Sequence, residues 1–96
     1  MELEIVKKRL TNCKEELKRQ FGIRSVRIFG SYARKEQKKG SDLDVLAEFA
    51  KVPSLFTLLR AERYLSEKLG LKVDLCNSAG LKQSFKSTIL PESVMV

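Results

Sequence analysis

Apolar residues recur at steps of three and four through the first twenty-one positions: Leu3, Val6, Leu10, Cys13 and Leu17, with Phe21 extending the row. That period predicts an amphipathic helix over residues 2–20. Lys7, Lys8, Lys14 and Lys18 fall largely off the stripe, and Gly22 supplies a C-terminal stop. The pattern then changes. Ser25-Val26-Arg27-Ile28-Phe29 predicts a short strand over 24–29 that runs straight into Gly30. A short helix from Ser31 to about Glu36 is expected next, followed by a polar turn over 37–41. Residues 42–49 predict a second strand. Leu43, Val45, Ala47 and Phe49 form its core face, and Asp42, Asp44, Leu46 and Glu48 form the other.

Lys51-Val52-Pro53 reads as a connection, and Ser54 as the cap of a helix running to about Leu69. Leu55, Leu58, Leu59, Leu65 and Leu69 are its expected apolar side, and Gly70 its stop. A third strand follows over 71–76. Leu71, Val73 and Leu75 lie on one face, and Lys72, Asp74 and Cys76 on the other. Asn77 or Ser78 caps a last helix containing Leu81, Phe85 and Ile89, and Pro91 ends it. The final Ser93-Val94-Met95-Val96 docks as an extended tail. The order α, β, α, β, α, β, α predicts a small α/β (α+β) sandwich, with a short sheet and helices on one face. Strand order does not follow from the pattern.

Chemistry concentrates between Gly30 and Asp44. Gly30 permits an unusual turn and close approach of a ligand. Ser31 opens the predicted short helix, and the N–H groups at a helix start attract anions such as phosphate. Asp42 and Asp44 share one strand face, and two carboxylates there repel unless a cation lies between them. Asp74 lies mid-strand between two apolar residues, where an isolated buried charge is costly. If its strand lies beside the Asp42–Asp44 strand, three carboxylates share one patch that divalent cations would neutralise. Arg34 offers two hydrogen bonds to a phosphate oxygen. Singly, each of these residues has an ordinary explanation as a turn, a strand entry or a solvated charge. Their order along the chain favours handling of a nucleoside triphosphate.

Ninety-six residues make one domain, spanning 1–96, with a thin core that makes an oligomer or partner interface plausible. The net charge of +7 favours acidic partners such as nucleotides, nucleic acid or an acidic protein surface. Two tyrosines and no tryptophan give few stacking platforms, which weighs against nucleic acid. No apolar run spans a membrane and no signal-peptide pattern is present, so a cytoplasmic protein without a membrane partner is expected. Cys13 and Cys76 match no zinc spacing and read as reduced, packed thiols. The absence of histidine excludes histidine-based triads and histidine metal ligands.

Phe29-Gly30-Ser31, Ala33-Arg34 and Ser41-Asp42-Leu43-Asp44-Val45 resemble the signature of the DNA polymerase β-like nucleotidyltransferases. Lys72-Val73-Asp74-Leu75 and the ending Ile89-Leu90-Pro91-Glu92-Ser93-Val94 extend the likeness to the stand-alone minimal nucleotidyltransferases. The resemblance implies a mixed sheet backed by helices, two Mg²⁺ ions on Asp42, Asp44 and Asp74, and ATP phosphates on Gly30 and Ser31. Asp74 would also assist deprotonation of the acceptor. It implies transfer of AMP from ATP to a tyrosine hydroxyl of a helical HEPN-type toxin, with this chain as the antitoxin. Lys35 departs from the family's usual glycine and puts the local turn, and with it the activity, in question. Two other readings stay open: an antitoxin that neutralises by stoichiometric contact, and a nucleotidyltransferase acting on RNA or a small molecule. A homodimer is also compatible with the thin core.

Overall fold

Leu3, Val6, Leu10, Cys13, Leu17 and Phe21 are all buried, so the predicted stripe is the face that holds the first helix to the domain. The computed structural model describes all residues, Met1–Val96. In order these form α1 (Leu3–Phe21), β1 (Ile23–Phe29), β2 (Leu43–Phe49), α2 (Leu55–Leu69), β3 (Val73–Asn77), α3 (Gln83–Ile89) and β4 (Val94–Met95). The sheet order is β3-β2-β1-β4. β1 runs antiparallel to β2 and β4, whereas β2 and β3 are parallel. The parallel pair needs a crossover, and α2 provides it. The fold is an α+β mixed sheet backed by helices: the patterning predicts the small sheet with helices on one face, and the family resemblance implies its mixed strand directions.

One sheet face and two helices make the core. Val26, Ile28, Leu43, Val45, Ala47, Val73 and Leu75 point from the sheet into the stripes of α1 and α2. Each fully buried aliphatic side chain contributes about 1.5–3 kcal/mol. β3 is an edge strand, and α2 closes that edge. The Leu75 amide donates to Glu62 Oε2 at 2.8 Å and the Val73 amide to Ser66 Oγ at 3.1 Å. These bonds occupy amides that would otherwise template pairing with another chain. At the opposite edge the C-terminal tail does pair with β1, in the register Arg27↔Met95 and Ile28↔Val94.

Four local expectations need correction. Residues 31–36 form one closed turn and no regular helix. Leu55 and Leu59 are 70% and 52% exposed, because only Ala61, Leu65 and Leu69 of α2 are buried. Asn77 caps a separate short 3₁₀ turn, Ser78–Gly80, which leaves Leu81 outside α3. Pro91 lies within a second 3₁₀ turn, Leu90–Glu92, after α3 has already ended at Ile89. The helical layer is also only α1 and α2. Ile89, the one buried residue of α3, lies outside their shared core and lines a groove with Phe29, Gly30 and Arg34.

Candidate active site

The face of the sheet away from the helices carries the predicted carboxylates. Asp44 is the register partner of Asp74 on β3 and of Phe29 on β1. Asp42 stands just before β2. Parallel pairing therefore brings the third carboxylate to the first two, although they are about thirty residues apart in sequence. Burial pushes the Asp44 carboxyl above its ordinary value of 3.8, and the charges of Asp74 and Asp42 push the same way. Arg34 opposes them. Asp42 has a partner of its own, with Lys72 Nζ 3.7 Å from its Oδ2.

Gly30 is the pivot between β1 and this patch. Its φ is +72°, a left-handed value that favours glycine, and an added Cβ would collide with Asp44 Oδ2 and lie 3.1 Å from its Cγ. The glycine therefore serves two needs at once: the turn, and the approach of the Asp44 carboxylate to the backbone. After it, the Arg34 amide donates to Gly30 O at 3.2 Å, Lys35 N–H to Tyr32 O at 3.2 Å, and Glu36 N–H to Ser31 O at 2.8 Å. The last two bonds, with Lys35 at φ 58°, are the Schellman closure of a helix compressed into a single turn. Lys35 thus adopts the left-handed conformation for which glycine is usually needed, and the turn survives the departure from the family pattern. Tyr32, 3% exposed, anchors this turn in the core.

No backbone carbonyl accepts from the amides of Ser31, Tyr32 or Ala33. Three successive N–H groups without a backbone acceptor have the chemistry to receive an anion, although no regular helix follows them. Arg34 stands beside these amides, held by Glu36 (Nε–Oε1 3.0 Å) and Glu92 (Nη1–Oε2 3.8 Å). These carboxylates compete with any phosphate for its half-exposed side chain. Beyond Asp42 lies a cleft of ≈ 390 Å³ lined in part by Tyr32, Lys38, Lys39, Asp42 and Lys72. From the sequence alone, Lys38 and Lys39 read as a solvated basic loop, and Lys72 as a residue on the same strand face as Asp74. Flanking each aspartate with a lysine-bearing segment was the available signal.

Asp42, Asp44 and Asp74 fit Mg²⁺ in donor chemistry, being hard oxygen ligands, and burial together with the charges of Asp74 and Asp42 raises Asp44. They do not close into a preformed cage, since no three acidic or thiol side chains converge in that way. Mg²⁺ commonly takes one or two carboxylates and completes its shell with waters and substrate phosphates, so the open arrangement suits it. Both cysteines are free: Cys13 is buried, and Cys76 stands next to the patch, where burial and the charges of Asp44 and Asp74 raise its thiol.

The nucleotidyltransferase domain family matches residues 10–96. The chain is 44% identical to the protein adenylyltransferase MntA of Thermococcus cleftensis, over 98% of this chain and 95% of that one. A solved minimal nucleotidyltransferase superposes with a TM-score of 0.83 at 32% identity, covering 100% of this chain and 97% of the other. A second solved structure, a tri-AMPylated Shewanella oneidensis HEPN toxin with its MNT antitoxin, gives a TM-score of 0.72. It is 13% identical, covers 97% of this chain and 70% of the other, and speaks for the fold alone.

Proposed function

The chain belongs to the minimal nucleotidyltransferase family of nucleotidyltransferase domains, and on that premise we propose that it transfers AMP from ATP to a tyrosine hydroxyl of a HEPN-type toxin, acting as its antitoxin. The observation that carries the reading is the paired register of Asp44 with Asp74 beside the Gly30 turn. The likeness to the Thermococcus protein adenylyltransferase supports protein adenylylation, and the family resemblance of the motif implies the HEPN-type partner.

The residues divide the work. The free amides of Ser31, Tyr32 and Ala33, approached over Gly30, hold the β and γ phosphates. Arg34 leaves Glu36 and Glu92 to bind a phosphate oxygen, and Lys38, Lys39 and Lys72 add positive charge beside Asp42. Asp42, Asp44 and Asp74 would hold Mg²⁺, which neutralises phosphate charge and polarises the α-phosphorus. The acceptor oxygen attacks that phosphorus. Its proton passes to the Asp74 carboxylate, the bond to the β-phosphate oxygen breaks, and pyrophosphate leaves.

Two labelled forms of ATP test the reaction class. Label in the α-phosphate should move to the partner, and label in the γ-phosphate should not. Transfer of the γ label would make the chain a kinase and overturn the reading.

A further inference from the structure

β3, which carries Asp74, is only five residues long and has β2 as its one strand neighbour. Asp74 and its register partner Asp44 lie on the same sheet face, and like charges there push the two strands apart. Asp42 has Lys72 beside it, and Asp44 has the Gly30 backbone against it. Asp74 is placed through the residues on either side of it. The Val73 and Leu75 side chains are buried in the core under α2. The amides of the same two residues donate to half-buried side chains of α2, Val73 to Ser66 Oγ at 3.1 Å and Leu75 to Glu62 Oε2 at 2.8 Å. The second of these has a carboxylate acceptor, which makes it the stronger bond.

Two spacings agree to make this pair of bonds. Glu62 and Ser66 are four residues apart on α2, about 6 Å along a helix. Val73 and Leu75 are two apart on β3, about 6.6 Å along a strand. The pairs are also crossed, the earlier helix residue with the later strand residue, as the reversal from α2 into β3 requires. The two bonds therefore fall one on each side of Asp74. We propose that Glu62 and Ser66 are positioning residues for Asp74: together they clamp its strand and keep its carboxylate opposite Asp44, where the two can share a divalent cation. Covering an edge against other chains needs no such match to one residue. The effect on removal of the acceptor proton rests on the adenylyltransferase reading, whereas the effect on cation affinity stands without it.

The test titrates the full chain with Mn²⁺, a paramagnetic substitute for Mg²⁺ with the same preference for oxygen ligands, read by water-proton relaxation. AMP transfer to a HEPN-type protein from the same genome is measured alongside. Glu62→Ala with Ser66→Ala should weaken Mn²⁺ binding at least about tenfold. At saturating Mg²⁺ it should lower kcat by at least about tenfold and leave KM for ATP within about twofold, because the β and γ phosphates are held elsewhere. Glu62→Gln keeps an oxygen for the Leu75 amide and should stay within about twofold of wild type in both. Ser66→Ala, the mildest change, should show part of both losses and decides the matter if the double variant does not fold. Ser54→Ala removes the cap of the same helix, where Ser54 Oγ accepts from the Thr57 amide at 3.1 Å, and should lower Tm without changing cation affinity or kcat. Wild-type Mn²⁺ affinity in Ser66→Ala overturns the proposal, as does a wild-type chain that binds no Mn²⁺. Equal losses in Ser54→Ala reduce the effect to the stability of α2, and equal losses in Glu62→Gln and Glu62→Ala reduce it to charge; either overturns the clamp. A wild-type chain that transfers no AMP, but whose cation affinity depends on Glu62 and Ser66, keeps the clamp and removes the enzymatic reading.

Discussion

At the scale of single residues, Gly30 and Asp44 form one unit. Gly30→Ala introduces both a left-handed alanine and a collision with the carboxylate, whereas Gly22, at φ 69°, faces open space. Gly30→Ala should therefore cost more stability than Gly22→Ala, about 2–3 against about 1 kcal/mol, and should abolish AMP transfer. Thermal melts alongside transfer assays check both. Lys35 is the reverse case. Its φ of 58° is strained, and Lys35→Gly should stabilise by up to about 1 kcal/mol, raising Tm by a few degrees. Asp44 sets a pH dependence. Its folded carboxyl titrates above 3.8, so its contribution to stability is fully present below that value and is lost as the pH rises through the elevated one. Asp44→Asn should then melt higher than wild type at neutral pH in the absence of Mg²⁺. The gap should close as the pH falls below 3.8, and Mg²⁺ should raise the wild-type melt alone.

At the scale of elements, the second half of α2 does two jobs with adjacent residues while its first half does neither. Ala61, Leu65 and Leu69 pack on the core, Glu62 and Ser66 close the β3 edge, and the first turns stay exposed. Glu62→Ala leaves the Leu75 amide without its acceptor beside the site. It should cost about 1–3 kcal/mol and lower Tm by several degrees, with faster hydrogen exchange at Leu75. The apolar pattern of α2 shows that a helix forms but not which half is covered, because Leu55 and Leu65 are the same residue type. Only the position of β3 decides between them. The turn after Gly30 failed as a helix prediction for a related reason. Capping and propensity favour a helical start, but the left-handed Lys35 closes it after one turn, and no local rule predicts a left-handed lysine. α1, by contrast, was legible throughout, since its whole stripe is buried against one partner layer.

At the scale of the molecule, what was legible in the sequence was a chemistry-bearing order, and what was missing was adjacency. Asp42 and Asp44 share a face by strand alternation alone. Asp74 joins them only because β3 pairs parallel to β2, which depends on the α2 crossover and cannot be read from residue spacing. The shared cleft beside Asp42 is not legible in the sequence for the same reason, since Lys38 and Lys72 line it together only once the turn and β3 are placed. Transfer of AMP to a partner protein is the reaction proposed for this assembled patch. The most direct measurement is the intact mass of the HEPN-type partner after incubation with ATP, Mg²⁺ and either the wild-type chain or its Asp42→Asn/Asp44→Asn variant. The wild type should add one or more AMP masses to the partner, and the variant should add none while still binding it. AMP addition by the variant at the wild-type rate, or no addition by a wild-type chain in a stable complex, would contradict AMP transfer by this patch.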